Sequence, residues 1–258
     1  MFLNKIVTTK RQEVNELKQK IRPEDWSKAK KMAPVRSLSA AMKKDGNSII
    51  AEVKPASPSK GVIRDQVNPV KIAKAYEAGG ARAISVLTDR TYFKGENRFL
   101  TEVKAAVEIP VLRKDFLIDE CQLVESRLIG ADAVLLIAAI LDHDQCKTLC
   151  QIAHELGLEV LVEVHQASEI ETAVDCGADV IGINNRNLST FHTDLSVTEQ
   201  LRPLIKADCP VITESGIHSL NDIKRLERSQ VDGMLIGEYL MRQEDHQKAV
   251  AALLGGCQ

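Results

Sequence analysis

Apolar residues in this chain fall into eight short runs, and each run ends in polar or charged residues before a longer segment of helical character. Successive runs start 20 to 33 residues apart, a spacing that suits a strand plus a helix and is too long for a hairpin. Most runs are continuously apolar, as in Val134-Leu135-Leu136-Ile137, which is typical of strands covered on both faces of a parallel sheet. The runs are Ser48–Lys54, Ala81–Asp89, Ile109–Phe116, Ala131–Ala139, Leu158–Val164, Ala178–Arg186, Cys209–Gly216 and Val231–Glu238.

Eight strand–helix units in about 200 residues predict an α/β fold, a (β/α)8 TIM barrel. The alternative is a doubly wound open sheet, which usually carries a Gly-rich dinucleotide turn after its first strand. The first turn here is Pro55-Ala56-Ser57-Pro58-Ser59-Lys60-Gly61, which is not a GxGxxG turn. We therefore assign residues 48–258 to the barrel.

The residues before the first run, 1–47, predict an N-terminal helical extension. Apolar positions there follow a helical period among many Lys and Glu residues, which indicates an amphipathic helix, and a second short helix is expected near Leu38–Lys44. We expect both helices to close one mouth of the barrel. No low-complexity linker separates them from the barrel, so residues 1–258 are interpreted as a single domain. The periodic positions are Ile6, Val7, Val14, Leu17 and Ile21.

Composition and charge exclude several classes of function. The net charge is -2 and only nine residues are aromatic (five Phe, three Tyr and one Trp), so neither a basic field nor a stacking surface for nucleic acid is expected. No apolar run approaches the roughly 20 residues of a membrane helix, and the first residues lack a signal peptide's apolar stretch. We expect a cytoplasmic protein. Its cysteines, which form no CxxC pair or zinc spacing, are interpreted as reduced packing thiols: Cys121, Cys146, Cys150, Cys176, Cys209 and Cys257.

Seven of the eight runs end in polar groups, at the strand ends where a barrel of this kind builds its active site. Because parallel strands bring these ends to one rim, we expect the side chains to converge. Mixed carboxylates and ammonium groups in a low-dielectric cavity shift each other's pKa values and permit acid–base chemistry near neutral pH. The groups are Glu52 and Lys54, Asp89, Lys114 and Asp115, Glu163, Asn184 and Arg186, Glu214 and Ser215, and Gly237 and Glu238; the fourth run ends in Ala138 and Ala139.

The last two runs end in candidate phosphate-binding segments, Thr213–Ile217 and Leu235–Glu238. Glycine lets the backbone approach a ligand, and the helix that follows aims its free N–H groups at an anion. The carboxylate of Glu238 would repel a phosphate, so we expect its backbone N–H to bind instead.

No metal site is predicted. The segment Asp142-His143-Asp144 lies at a predicted helix start, and His165 stands one residue past the fifth run. No Ser-His-Asp set with the logic of a catalytic triad emerges either.

These segments closely resemble the indole-3-glycerol-phosphate synthase family of tryptophan biosynthesis. The most specific match is Ile50–Gly61, with the sequence IAEVKPASPSKG, whereas the two phosphate-binding segments occur in many barrels. The opening Leu3–Val7 also looks like the family's first helix, so the resemblance covers the whole chain. The other matching segments are Ser85–Asp89, Tyr92–Gly95, Leu112–Phe116, Leu161–His165, Gly182–Leu188, Glu214–Ile217 and Leu235–Glu238.

The resemblance implies a carboxy-lyase reaction that uses no cofactor or metal. A 1-(2-carboxyphenylamino)-1-deoxyribulose 5-phosphate would cyclise, lose carbon dioxide and water, and become indole-3-glycerol phosphate. Lys114 is implied as the general acid of ring closure, which would also stabilise the developing alkoxide. Glu163 and Glu52 are the candidates for the base and the acid of dehydration, with the split of the two roles left open, and Lys54 is either a second acid or an anion-binding residue.

The resemblance also implies a set of substrate-binding residues. Asn184 and Arg186 would position the ribulose hydroxyls or the Glu–Lys network, and Ser57 and Phe93 would lie over the substrate. The remaining members of the implied set, at the phosphate end, are Glu214, Ser215, Gly216, Gly237 and Glu238; some relatives carry Ser where this chain has Glu238.

Two other functions stay open at this point. Another phosphate-binding barrel enzyme, such as a phosphoribosylanthranilate isomerase or a tryptophan synthase α-type lyase, would lack the Glu-x-Lys followed by Ser-Pro-Ser of the first strand. A non-catalytic barrel that only binds a phosphorylated ligand would not need Lys114 or Glu163. We expect a small phosphorylated substrate, no nucleic acid or membrane partner, and a monomer with transient contacts to other tryptophan-pathway enzymes.

Overall fold

The computed structural model describes residues 2–43, 48–188 and 190–255. Its eight parallel strands follow one another in chain order and close into a barrel, which confirms the predicted (β/α)8 fold. Each predicted run contains one of them: β1 Ser48–Val53, β4 Ala83–Leu87, β5 Val111–Lys114, β6 Ala133–Ile137, β7 Glu159–Val164, β8 Val180–Asn184, β9 Val211–Glu214 and β10 Gly233–Ile236. Two short strands, β2 Ala56–Ser57 and β3 Gly61–Val62, form an antiparallel hairpin after β1 that the apolar pattern did not predict.

Helices surround the barrel and begin where the sequence provides caps. The side chain of Asn68 accepts a hydrogen bond from the backbone N of Lys71, and Asp142 caps its helix in the same way, so the Asp142–Asp144 segment is a helix start. The helices are α1 Phe2–Lys18, α2 Pro23–Lys30, α3 Leu38–Met42, α4 Pro69–Ala78, α5 Asn97–Lys104, α6 Glu120–Leu128, α7 His143–Glu155, α8 Ile170–Asp175, α9 Ser196–Leu201, α10 Leu220–Glu227, α11 Glu238–Arg242 and α12 His246–Leu253; short 3-10 turns span Ala167–Glu169 and Arg202–Leu204.

Two apolar layers hold the barrel together, because successive side chains on a strand point to opposite faces. Ile50, Leu112 and Leu161 belong to the cluster that fills the interior of the barrel. Their sequence neighbours, such as Ile49 and Ala51, pack outward against the helices. This explains why the runs are continuously apolar: each strand buries both of its faces.

The N-terminal helices cover opposite ends of the barrel, so the prediction that both close one mouth is wrong. Leu38 and Met42 of α3 join the interior cluster at the amino end, where the Met42 sulfur leaves no room for a side chain at Gly233. Helix α1 lies across the carboxyl end, where Ile6 faces the central cavity. Both ends expose apolar interior side chains, and each therefore needs its own cover.

The boundaries of the N-terminal extension also differ from the prediction. Helix α1 ends at Lys18, so Ile21 lies past it, and α2, which packs against α6, was not predicted. Helix α3 confirms the second predicted helix, although Lys44, its predicted last residue, lies outside the described residues.

A buried lysine fastens α1 to the barrel. Lys10 is 1% exposed and lies on the inward face of the helix, one turn from both Ile6 and Val14. Its Nζ is 2.7 Å from Oδ2 of Asp89 and 2.9 Å from Oδ1 of Asp115. Burial opposes the charge, but the two carboxylates outweigh it and raise the pKa of Lys10 above its ordinary value. Strand ends β4 and β5 are thus tied to α1 by one shared cation.

The described cysteines carry free thiols, four of them buried: Cys121, Cys146, Cys150, Cys176 and Cys209. Cys257 lies outside the described residues. Nowhere in ranges 2–43, 48–188 and 190–255 is a helix both long enough and apolar enough to cross a membrane.

Replacing Lys10 by methionine would keep the apolar stem and remove the cation between two buried carboxylates. We expect Lys10→Met to lower the free energy of unfolding by about 3–5 kcal/mol, because breaking a buried pair leaves uncompensated charge. Urea denaturation followed by circular dichroism would measure the loss. Lys18→Met is the control, since it removes a half-exposed bridge of 2.6 Å to Asp119 and should cost less than about 1 kcal/mol. Equal losses in the two variants would contradict the anchoring role of Lys10.

Candidate active site

A cavity opens at the carboxyl ends of the barrel strands, under α1 and the β2–β3 hairpin. All the site residues that the family resemblance implies line it: Glu52, Lys54, Ser57, Phe93, Lys114, Glu163, Asn184, Arg186, Glu214, Ser215, Gly216, Gly237 and Glu238. Asp89, expected at the same rim, is not among the lining residues. Its Oδ1 accepts hydrogen bonds from the backbone of Tyr92 and Phe93, and its Oδ2 faces Lys10.

The ammonium group of Lys114 occupies the centre of the charged part of the cavity. Its Nζ is 2.7 Å from Oε2 of Glu163 and 3.1 Å from Oε2 of Glu214. Burial opposes the charge on Lys114, but Glu163, Glu214 and Glu52 outweigh it and raise its pKa above the ordinary value. Lys114 is therefore protonated at neutral pH and can donate a proton to a bound ligand.

The pKa values of Glu163 and Glu214 are shifted in opposite directions, although both side chains contact Lys114. Burial tends to raise the pKa of Glu163, but Lys114 and His165 outweigh it and hold that pKa well below the usual range. Burial raises the pKa of Glu214 to about 7, which Lys114 offsets only in part. Oε1 of Glu214 is buried without a hydrogen-bond partner among the described residues, and it occupies the space a side chain at Gly182 would fill.

A second ion pair lies at the carboxyl end of β1. Nζ of Lys54 is 2.7 Å from Oε1 of Glu52, as the shared face of positions two apart on a strand predicts. Gly237 makes room for this pair, because a Cβ there would overlap the carboxylate of Glu52. Glycine at this position thus serves the acid–base pair as well as the approach of a ligand.

His165 stands directly behind Glu163, and the sequence reasoning did not assign it to the site. Its Nε2 is 3.2 Å from Oε1 of Glu163, and its Nδ1 is 3.6 Å from Oε2 of Glu169. Burial favours the neutral ring, but the two carboxylates outweigh it and raise the pKa of His165 to about 9. Its position two residues after Glu163, on the same strand face, was the signal available in the sequence.

One end of the cavity offers backbone donors suited to a phosphate. Ser215 and Gly216 both have left-handed backbone conformations, with φ of 68° and 83°. Backbone N–H groups in such a turn can face one concavity that attracts anions. A Cβ at position 216 would also lie 2.7 Å from the Cγ2 of Thr193, so only glycine fits there.

Glu238 keeps its carboxylate occupied with cations rather than with the anion site. Its Oε1 accepts hydrogen bonds from Arg242 at 3.2 and 3.1 Å, and Nζ of Lys60 lies 3.7 Å away. This arrangement is consistent with the expectation that the backbone of Glu238, and not its side chain, faces a phosphate.

The opposite end of the cavity is apolar and partly aromatic. Phe93 and Phe116 stack at a tilt with ring centroids 5.9 Å apart. Sequence reasoning found Phe93 but missed the other apolar side chains, several of which come from α1 and from the segment after β8. They are Phe2, Leu3, Ile6, Phe116, Leu135, Ile137, Leu188 and Phe191. An apolar ring of a ligand would be covered here.

Two polar residues stand at the end of β8, and one of them connects the site to the β2–β3 hairpin. Nη1 of Arg186 donates a hydrogen bond to Oγ of Ser59 at 3.1 Å, across the mouth of the cavity. Oδ1 of Asn184 accepts from the backbone N of Arg186 at 2.9 Å, which orients its amide. Asn184 can still donate through its NH₂ group and accept through the second lone pair of Oδ1.

Across the described ranges, no group of three or more His, Cys, Asp or Glu side chains is arranged so that it could hold a metal ion.

Two solved structures that share the fold are distant from this chain in sequence. Thiamine phosphate pyrophosphorylase from Pyrococcus furiosus is similar with a TM-score of 0.63 at 16% identity, over 85% of this chain and 98% of that one. A 3-hexulose-6-phosphate synthase has a TM-score of 0.63 at 16% identity, over 81% of this chain and 98% of that one. At this level of identity the likeness shows the barrel fold alone.

Sequence relatives are much closer. The chain is 46% identical over 255 residues to indole-3-glycerol phosphate synthase of Shouchella clausii, covering 98% of this chain and 97% of the relative. It is 48% identical over 257 residues to the enzyme of the same name from Geobacillus kaustophilus, with 98% and 97% covered. The family model described as indole-3-glycerol phosphate synthase matches residues 3–253. With this match over nearly its whole length, the chain belongs to the indole-3-glycerol phosphate synthase family.

Proposed function

We propose that this cavity converts 1-(2-carboxyphenylamino)-1-deoxyribulose 5-phosphate into indole-3-glycerol phosphate, with Lys114 as the general acid of ring closure. The observation that carries the proposal is the buried ammonium of Lys114, held 2.7 Å from Glu163 and 3.1 Å from Glu214. It lies in a cavity that has anion-binding backbone at one end and aromatic side chains at the other.

The two ends of the cavity match the two ends of this substrate. The phosphate would meet the N–H groups of Ser215 and Gly216 and those that open α11 at Gly237. The carboxyphenyl ring would lie along the apolar wall that includes Phe93 and Phe116. The ribulose carbons would then pass over the acid–base groups between the two ends.

Ring closure needs a proton donor at the ketone oxygen. The aromatic carbon that bears the carboxylate attacks the ketone carbon, and Lys114 transfers a proton to the oxygen, which becomes a hydroxyl. Departure of carbon dioxide with the bonding pair left on the ring restores its aromaticity. A positioned acid in a site closed from water can contribute about 10²–10⁴-fold to the rate.

Dehydration needs a base and a second acid. Once Lys114 has lost its proton, the cation that depressed the pKa of Glu163 is gone, and Glu163 becomes a better base. We assign to Glu163 the removal of the proton on the carbon next to nitrogen. Lys54, oriented by Glu52 at 2.7 Å, protonates the departing hydroxyl. The whole sequence consumes one proton, as expected when a carboxylate leaves as carbon dioxide.

We further propose that a single chain carries out this reaction. All the side chains assigned here come from one barrel, and no role is left for a partner chain to fill. Light scattering of the purified protein under assay conditions would test the monomeric state.

The activity itself is tested by mixing the purified protein with the carboxyphenylamino-deoxyribulose phosphate and following indole fluorescence. A rise in fluorescence at catalytic protein concentrations is the expected result. Binding of the substrate without any rise would overturn the proposed reaction.

Replacing Lys114 by alanine should lower kcat by about 10²–10⁴-fold, because the acid of ring closure is removed. The indole-fluorescence assay measures kcat, and circular dichroism checks that the barrel persists. Lys30→Ala is a matched control, since Lys30 forms a comparable pair of 3.0 Å with Glu155 on the outer surface. It should keep full activity. A folded Lys114→Ala protein with wild-type kcat would contradict the assigned role.

Replacing Glu214 by glutamine should change how stability depends on pH. The pKa of Glu214 is about 7 in the folded protein, above the ordinary value of 4.5. Because the folded state binds this proton more tightly than the unfolded state, the protonated carboxyl stabilises the fold, and the stabilisation is complete below pH 4.5. It is lost as the pH rises from 4.5 through 7. Glu214→Gln cannot ionise, so its advantage in unfolding free energy over wild type should grow by about 2 kcal/mol between pH 5 and pH 8.

Urea denaturation of wild type and Glu214→Gln at both pH values gives this difference. Glu199→Gln serves as the control, because Glu199 pairs with Arg225 on the surface at 2.7 Å and should show no such growth. A constant difference between wild type and Glu214→Gln across the pH range would refute the raised pKa of Glu214.

A further inference from the structure

The two carboxylate oxygens of Glu163 are held by two different cations. Oε2 lies 2.7 Å from Nζ of Lys114, and Oε1 lies 3.2 Å from Nε2 of His165. The side chain of Glu163 is 2% exposed, so water does not compete for either oxygen. The proposed reaction uses Lys114 and Glu163 and leaves the neighbouring imidazole without a role.

Glu169 in turn holds the imidazole of His165 from its other side. Oε2 of Glu169 is 3.6 Å from Nδ1 and also accepts a hydrogen bond of 2.6 Å from the backbone N of His165. Glu169 ends the 3-10 turn Ala167–Glu169 that follows β7, so the turn brings it back over the strand end. Neither ring nitrogen forms a hydrogen bond within the described residues, so its contacts with Glu163 and Glu169 are ion pairs. The two glutamates are thus its polar partners.

We propose that His165 is a positioning residue for the reaction: its imidazolium holds Oε1 of Glu163 so that Oε2 stays directed at Lys114, and Glu169 holds the imidazolium. This inference rests on the proposed function of the Lys114–Glu163 pair. His165 does not line the cavity and acts through Glu163.

The arrangement matters most when the charge of Lys114 disappears. After Lys114 has given its proton to the substrate, Glu163 would be a buried carboxylate without a cation, which is costly. His165 keeps one positive charge beside Glu163 throughout that step. Because His165 contacts Oε1 of Glu163, Lys114 contacts only Oε2. Lys114 is therefore held less tightly than it would be by both oxygens.

The charge of His165 follows from the groups that face it. Glu163 on β7 and Glu169 on the following turn are its ion-pair partners, and Lys114 lies beyond Glu163. Burial favours the neutral ring, but these carboxylates raise the pKa of His165 to about 9. The imidazolium is therefore present at neutral pH and is lost as the pH rises through about 9.

Substituting His165→Asn removes the cation and keeps a small polar side chain. We expect kcat to fall roughly 10-fold, less than the loss for a catalytic group, with KM within about 2-fold of wild type. The wild-type kcat should also decline as the pH rises through about 9, and the variant should lack the ionisation of this group. Purely structural damage would not remove one ionisation from the profile.

His154→Asn is the matched control. Nε2 of His154 lies 2.8 Å from Oδ2 of Asp179 on the outside of the barrel, so the same kind of ion pair is removed away from the cavity. It should leave kcat and the pH profile unchanged. A wild-type kcat and pH profile in His165→Asn would overturn the inference.

A second measurement needs no activity and covers the case in which His165→Asn fails to fold. NMR titration of the His165 ring should give a pKa near 9 in wild type and a lower pKa in Glu163→Gln, because one of its two carboxylate partners is lost. Titration near 6.5 in wild type would refute the pairing of His165 with Glu163. Full turnover by Glu163→Gln would instead refute the proposed role of Glu163, so the two failures are distinguishable.

Discussion

The closure of the barrel places three glutamates from strands β1, β7 and β9 within reach of one another, and the rest of the site depends on neutralising them. A buried carboxylate without a partner costs several kcal/mol, so Glu52, Glu163 and Glu214 can share this space only beside cations. Lys54 and Lys114 provide those charges from inside the cavity. The cations that allow these carboxylates to be buried therefore also place protonated amines next to carboxylates. Such pairs can donate and accept protons.

The glutamates are not neutralised to the same extent, and this difference separates their pKa values. Glu163 lies between two cations and stays ionised, whereas Glu214 shares Lys114 with Glu163 and keeps one buried oxygen without a partner. Two carboxyl groups within reach of the same ammonium thus have pKa values on opposite sides of the ordinary value. Such divergence between neighbouring groups is typical of sites that move protons.

A second buried cluster uses the same physics for a structural purpose. Lys10 between Asp89 and Asp115 is sealed from solvent and joins α1 to the ends of β4 and β5. Asp115 is adjacent to Lys114 in the chain, so the residue that anchors the covering helix directly follows the proposed acid. Because α1 also contributes Phe2 to the apolar wall, the position of that wall depends on a lysine that no ligand would touch.

The sequence by itself determined the barrel and predicted which polar residues line its cavity, because both depend on local patterns. Continuous apolar runs at strand–helix spacing specify parallel strands, and residues two apart, such as Glu52 and Lys54, must share a face. Tertiary structure alone decided what pairs with what. Lys10 meets Asp89 across 79 residues of sequence, and no local pattern placed α1 and α3 at opposite ends of the barrel. The charge of each group likewise depends on burial and on neighbours brought in by closure, which is why the pairing of His165 with Glu163 became visible only in the tertiary structure.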